Sequence, residues 1–151
     1  MTTKQKIDTD LKAAMLAGDK RLTGILRGLK SALLYAELAA GKRDSGLDDQ
    51  VVQQLLQKEA KKRQEAAMLY EKANETTRQQ AELEEKQVIE KYLPEQLDDT
   101  AIQNLVEASI KSLAADSPAQ MGQVIADVKK RSGGAADGAT IARLVREALK
   151  A

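Results

Sequence analysis

Residues 133–140 read G-G-A-A-D-G-A-T. Under the phosphate-loop pattern G-x-x-x-x-G-K-[ST], Gly133, Gly138 and Thr140 fall in place, and Ala139 stands where the lysine belongs. Such a loop would cradle phosphates on backbone N–H groups at a helix start, with the lysine reaching towards the β- and γ-phosphates. Three features argue against that chemistry. The lysine is absent. A helical pattern precedes the loop, where the motif has a strand. Asp137 stands just before the next helical run, where its carboxylate can cap the backbone donors a phosphate would need. The glycines read instead as the end of one helix and the reversal into another.

The stronger chemical signal lies on either side of that loop. Lys129, Lys130 and Arg131 precede it, and Arg143, Arg146 and Lys150 follow it. Over residues 129–151 these six cations face only Asp137 and Glu147. At about 100° per residue, Arg143, Arg146 and Lys150 share one sector of ~60°. Ile141, Leu144, Val145, Ala148 and Leu149 point the other way, so one face packs and the other is a basic ridge suited to a phosphate backbone. Lys129 to Arg131 also complement the dipole at the end of their own helix, which leaves a purely structural role open for them. A second cluster, Lys58, Lys61, Lys62 and Arg63, is interleaved with Glu59 and Glu65, which partly cancel its field. The runs E-L-E-E-K and Q-K-E-A-K-K-R-Q-E have the spacing of solvated ion pairs along a helix.

Composition narrows the chemistry further. The 151 residues include no cysteine and no histidine, which removes disulfides, thiol chemistry, the usual zinc sites and every Ser-His or Cys-His nucleophile system. No catalytic residue, metal ligand set or cofactor motif is expected. Tyr35, Tyr70 and Tyr92 are the only aromatics, too few for a base-stacking platform. An RNA ligand would therefore be held by phosphates and shape. A net charge of +1 supplies no global field, so an electrostatic partner must find a local patch. No apolar run approaches the ~20 residues that cross a bilayer. The first ten residues lack the apolar core of a signal peptide, so a cytoplasmic location without membrane contact is expected.

The elements that must hold these residues read as helices throughout. The first segment, about 3–17, carries Ile7, Leu11 and Met15, and Gly18 stops it. The second opens at an Asp19 cap, runs along Leu22, Ile25, Leu26, Leu29 and Leu33, and ends at Gly41. After the polar connector G-K-R-D-S-G, the third starts at an Asp48 cap with Leu47 stapled to Val52, and carries Leu55, Leu56, Met68 and Leu69 to about Ala73. A break over 74–77 leads to the fourth, which runs to Tyr92 with Leu83, Val88 and Ile89 inside. The third and fourth are long, charged and sparsely apolar, as an antiparallel pair with much wet surface would be. Pro94 marks the sharpest boundary, dividing the chain into domains 1–93 and 94–151. Beyond it come three short capped helices. The first has an Asp98 cap with Leu97 stapled to Ile102, then Leu105, Val106, Ile110 and Leu113. The second has a capping box at S-P-A-Q, with Pro118 at its first position, then Met121, Val124, Ile125 and Val128. The third carries the basic ridge. The fold class is therefore all-α: a helical N-terminal part with a long hairpin, then a small three-helix bundle.

Y-L-P-E-Q-L, S-P-A-Q-M-G-Q-V, and A-D-G followed by A-R-L-V-R-E-A-L resemble the YqeY-like family, in that order and spacing. L-Q-K-E-A-K-K-R-Q-E-A and D-K-R-L-T-G-I-L-R-G-L resemble its N-terminal helices, so the likeness covers essentially the whole chain. The family is similar to the C-terminal tail domain of the tRNA-dependent Asn/Gln amidotransferase. The resemblance implies an all-helical two-part fold and a domain that helps hold tRNA without carrying the chemistry. It links the chain to carbon-nitrogen ligase activity with glutamine as amido-N-donor by homology only. The kinase-like and glutaminase parts of that enzyme have no counterpart here. One departure stands out. The family loop reads close to G-R-A-D-G-K, whereas Gly134 to Ala139 place alanine at both basic positions, Ala135 and Ala139.

The expected function is a non-catalytic accessory protein that binds tRNA or another structured RNA, without DNA specificity. The six cations around the loop are the candidate contacts and Lys58, Lys61, Lys62 and Arg63 a secondary patch. The alternative is a protein-interaction module in translation or tRNA metabolism, using the long charged helices. Amide transfer by the chain itself is disfavoured by the missing cysteine, histidine and nucleophilic serine motif.

Overall fold

The computed structural model describes residues 1–150. Among them every regular element is helical, and the chain divides into two compact units, Met1–Leu93 and a second beginning at Pro94.

The first unit contains α1 (Thr3–Leu16), α2 (Lys20–Ala39), α3 (Asp49–Lys72) and α4 (Thr76–Glu90). Ile7 and Leu11 of α1, Leu26, Leu29 and Leu33 of α2, Val52 and Leu56 of α3, and Ile89 of α4 make its core. Leu47 and Leu22 pack against the same cluster. Asp19 caps α2 through the N–H of Leu22 at 3.0 Å. Thr2 and Gln5 form a capping box on α1, a signal the apolar pattern did not supply. Asp48 starts α3 without a side-chain cap. The neighbouring Asp49 instead accepts the buried Thr3 N–H at 2.7 Å, tying α3 to the start of α1.

The stripes are narrower than their periodicity suggests. Met15, Met68 and Leu69, expected inside, are exposed. Their places in the core are taken by Ala14 on α1 and by Ala60 and Ala67 on α3, small residues that suit the close approach of paired helices. α4 ends at Glu90, short of Tyr92. Tyr92 Oη donates to Asp10 Oδ2 at 2.5 Å, and burial together with that carboxylate pushes its phenol well above the ordinary tyrosine range. The charges of the α3–α4 hairpin pair across it rather than only along each helix. Arg63 Nη1 reaches Glu82 and Glu85 at 3.1 and 3.3 Å, and Lys86 Nζ reaches Gln64 at 2.8 Å. One acid lies inside the apolar stripe of α2. Glu37 is buried and accepts Lys4 Nζ at 2.5 Å.

The second unit contains α5 (Asp99–Leu113), a 3-10 turn at Pro118–Gln120, α6 (Met121–Ser132) and α7 (Gly138–Leu149). Its core is Ile102 and Val106, Val124 and Val128, and Ile141, Leu144, Val145 and Leu149, with Leu97 packed against it. Asp98 caps α5 through the Ala101 N–H at 2.8 Å. Gln120 Oε1 accepts the backbone N–H groups of Asp116 and Ser117, which closes the turn into α6. Leu113 and Ala148, expected on inner faces, lie outside. No described helix is long and apolar enough to cross a membrane.

Candidate nucleic-acid interface

The loop between α6 and α7 is built by two local rules. Gly133 and Gly134 take positive φ values of 58° and 88°, which ends α6 and turns the chain. Asp137 Oδ2 then accepts both the N–H and the hydroxyl of Thr140 at 3.0 Å, capping α7. Between them Ala135 is held on both sides. Its N–H donates to the Ser132 carbonyl at 3.0 Å, and its carbonyl accepts the Leu97 N–H at 2.8 Å. Of the loop's backbone donors, those of Gly133, Ala135 and Thr140 are thus occupied by protein groups.

α7 buries Ile141, Leu144, Val145 and Leu149, and Arg143, Arg146 and Lys150 are exposed. Arg143 is not a free cation. Its Nη2 lies 2.8 Å from Asp99 Oδ2 of α5, and its Nη1 lies 3.7 Å from Glu147 Oε1. Arg146 and Lys150 have no carboxylate partner among the described residues. They stand roughly 12 and 18 Å along the axis from Gly138, at 1.5 Å per residue.

The last turn of α6 carries Lys129, Lys130 and Arg131, all exposed. Arg131 Nε is held by Asp127 Oδ2 at 2.7 Å, and the same oxygen accepts the buried Ser109 hydroxyl of α5 at 2.6 Å. The Ser109 bond first, then Arg131, keeps the Asp127 carboxyl below its ordinary range. Lys130 has no ion pair among the described residues. Lys129 bends across the turn. Its Cε and Nζ lie 3.8 and 4.0 Å from the position a Cβ would take on Gly138, so its ammonium sits over the first residue of α7. Lys129 is therefore the residue that joins the two halves of the basic cluster. Asp99 and Asp127 temper that cluster. The i, i+4 spacing of Asp127 and Arg131 was readable, whereas Asp99 is 44 residues from Arg143 and gave no local signal.

The two alanines of the loop are not equivalent. Ala139 is exposed and lies one turn before Arg143, in the same ~60° sector as Arg146 and Lys150. Ala135 is only 9% exposed, so position 135 is covered in this chain and is not part of an open cationic surface.

Of the secondary patch, Arg63 turns away and the three lysines stay on the surface. Lys58, Lys61 and Lys62 are exposed, and Lys62 pairs with Glu59 at 3.3 Å. Arg63 is half-buried and faces the carboxylates of α4. It borders a cleft of about 160 Å³ with Ile25, Gly28, Leu29, Glu59, Glu85 and Ile89. That lining offers no hydroxyl or amine nucleophile. Among the described residues no group of three or more Asp or Glu side chains could hold a metal ion.

A family model described as Yqey-like protein matches residues 4–149. No curated protein matches the chain.

Proposed function

The chain belongs to the YqeY-like family, and from that premise we propose that it is a non-catalytic accessory protein that holds structured RNA, tRNA above all, by its phosphates. The observation that carries this reading is the set Lys129, Lys130, Arg146 and Lys150. All four are exposed, and none is in an ion pair among the described residues, although Lys130 lies within the field of Asp127. Cations in that state release counterions when they meet a phosphate backbone, which favours binding without sequence preference. Arg131 and Arg143, already paired, would contribute less.

The likeness to the amidotransferase tail domain supports tRNA as the ligand and a cytoplasmic place of action. The connection to glutamine-dependent carbon-nitrogen ligase activity reaches this chain by that likeness alone. The absence of cysteine and histidine supports a role without chemistry of its own. A protein partner on the α3–α4 hairpin is the second reading, favoured by the exposed Met68 and Leu69. Titration of the chain with tRNA at two salt concentrations separates them. The RNA reading expects affinity that falls steeply with salt and weakens roughly tenfold or more in the Arg146→Glu/Lys150→Glu double variant. No binding at low salt, or binding indifferent to salt, overturns it.

A further inference from the structure

The outward stripe of a surface helix ordinarily carries charged residues. On α2 that stripe is Gly24, Gly28, Ser31, Tyr35 and Leu38, every one of them exposed. Tyr35 is 74% exposed and Leu38 53%, with Leu34 beside them at 38%. The spacing is four, three, four, three, the interval at which one helix meets a second along a seam. α2 already uses an opposite seam, Leu22, Leu26, Leu29 and Leu33, for its own core. It therefore carries two seams and fills only one.

The glycines have no internal justification. A Cβ on Gly24 or Gly28 would meet no atom within 4 Å, so nothing in this chain needs their small size. A flat glycine surface followed by Leu34, Tyr35 and Leu38 suits the close approach of another backbone at one end and side-chain packing at the other. The exposed charges of α2 itself are all basic, with Arg21 and Lys30 already paired to Glu84 and Asp8. Lys20 and Arg27 flank the seam without a carboxylate partner among the described residues, and exposed Lys42 and Arg43 follow its end beside Asp44. Arg27 Nη2 lies 3.9 Å from the sulfur of exposed Met15, which carries the apolar rim onto α1. The single carboxylate within α2, Glu37, is buried against Lys4.

We propose that this face of α2 is a docking seam for a helix of a partner protein, apolar along one side and acidic on its flanks. A second copy of the chain fits poorly, because it would bring cation against cation. RNA fits poorly as well, because the centre of the face is glycine, leucine and tyrosine rather than cationic. The face belongs to the Met1–Leu93 unit, and the basic cluster of α6 and α7 to the other.

The test uses the full chain and a synthetic helix with leucine at the two seam positions of each heptad and glutamate at the flanking ones. Controls are the same helix with lysine flanks and a scrambled sequence. The proposal expects saturable binding of the glutamate helix and binding weaker by roughly tenfold or more for both controls. Tyr35→Glu and Gly28→Gln, each checked for unchanged circular dichroism, are expected to weaken the glutamate helix by a similar factor and to leave tRNA affinity unchanged. Absence of binding, equal binding of the lysine helix, or indifference to both variants overturns the proposal. So does a dimer of the chain that Tyr35→Glu dissociates, or a loss of tRNA binding in these variants, since each assigns the face to another occupant.

Discussion

Gly24 and Gly28 lie inside the 20-residue helix α2, where glycine is less favourable than alanine by about 1 kcal/mol per site. That cost is tolerated where a side chain would collide with a neighbour or where φ is positive. Neither holds here, since both positions are open and neither is among the positive-φ glycines. The Gly24→Ala/Gly28→Ala double variant is therefore expected to stabilise the Met1–Leu93 unit by about 1.5–2 kcal/mol, because alanine also restricts the unfolded chain. For a domain of this size each kcal/mol moves the midpoint by roughly 4–8 °C, so Tm should rise by roughly 6–16 °C. Thermal unfolding followed by far-UV circular dichroism reads the change. Gly133→Ala is the control of opposite sign, because its φ of 58° strains any side chain and should cost about 1 kcal/mol or more. A double variant less stable than the parent would mean that α2 makes a close contact at these glycines and that the face is not open. A stabilised chain is also what a surface shaped for a partner predicts.

Other outcomes follow from particular contacts. Lys4→Met leaves Glu37 buried without its cation and should cost about 3 kcal/mol, whereas Lys4→Met/Glu37→Leu should recover most of it; denaturant midpoints distinguish the two. Asp127 has a folded-state pKa below its unfolded value, so its stabilisation is present above the ordinary carboxylate range and is lost as pH falls through the lowered value. Ser109→Ala removes the largest cause of that depression and should move this loss to higher pH in an acid titration of helicity. Ala139→Lys places a cation on the open sector of α7 and should tighten tRNA binding while steepening its salt dependence by about one. An arginine at the covered position 135 should give no comparable gain.

What could be read from the sequence was what depends on neighbours three or four residues away. The Asp19, Asp98 and Asp137 caps each bond an N–H three residues on, and all three form. Apolar spacing gave the direction of each stripe but not its edges. Met15, Met68, Leu69, Leu113 and Ala148 therefore lie outside despite their spacing, and Ala60 and Ala67 lie inside although small residues carry little hydropathy. The same blindness hid the outward seam of α2, whose first members are glycine and serine. Contacts between distant residues left no trace. Arg63 meets Glu82 and Glu85 only through the packing of α4 on α3, and Asp99 meets Arg143 only through the packing of α5 on α7. The basic residues of α6 and α7 were legible one by one, but which of them stay unpaired was not.

Binding of RNA by its phosphates rests on those unpaired cations, and the salt dependence of tRNA binding counts them. Four contacts from Lys129, Lys130, Arg146 and Lys150 predict a log–log slope of about −3 to −4. Arg146→Glu/Lys150→Glu should make that slope shallower by about two while lowering affinity. A slope near zero, or a slope and affinity that the double variant leaves unchanged, would mean that these cations do not hold RNA.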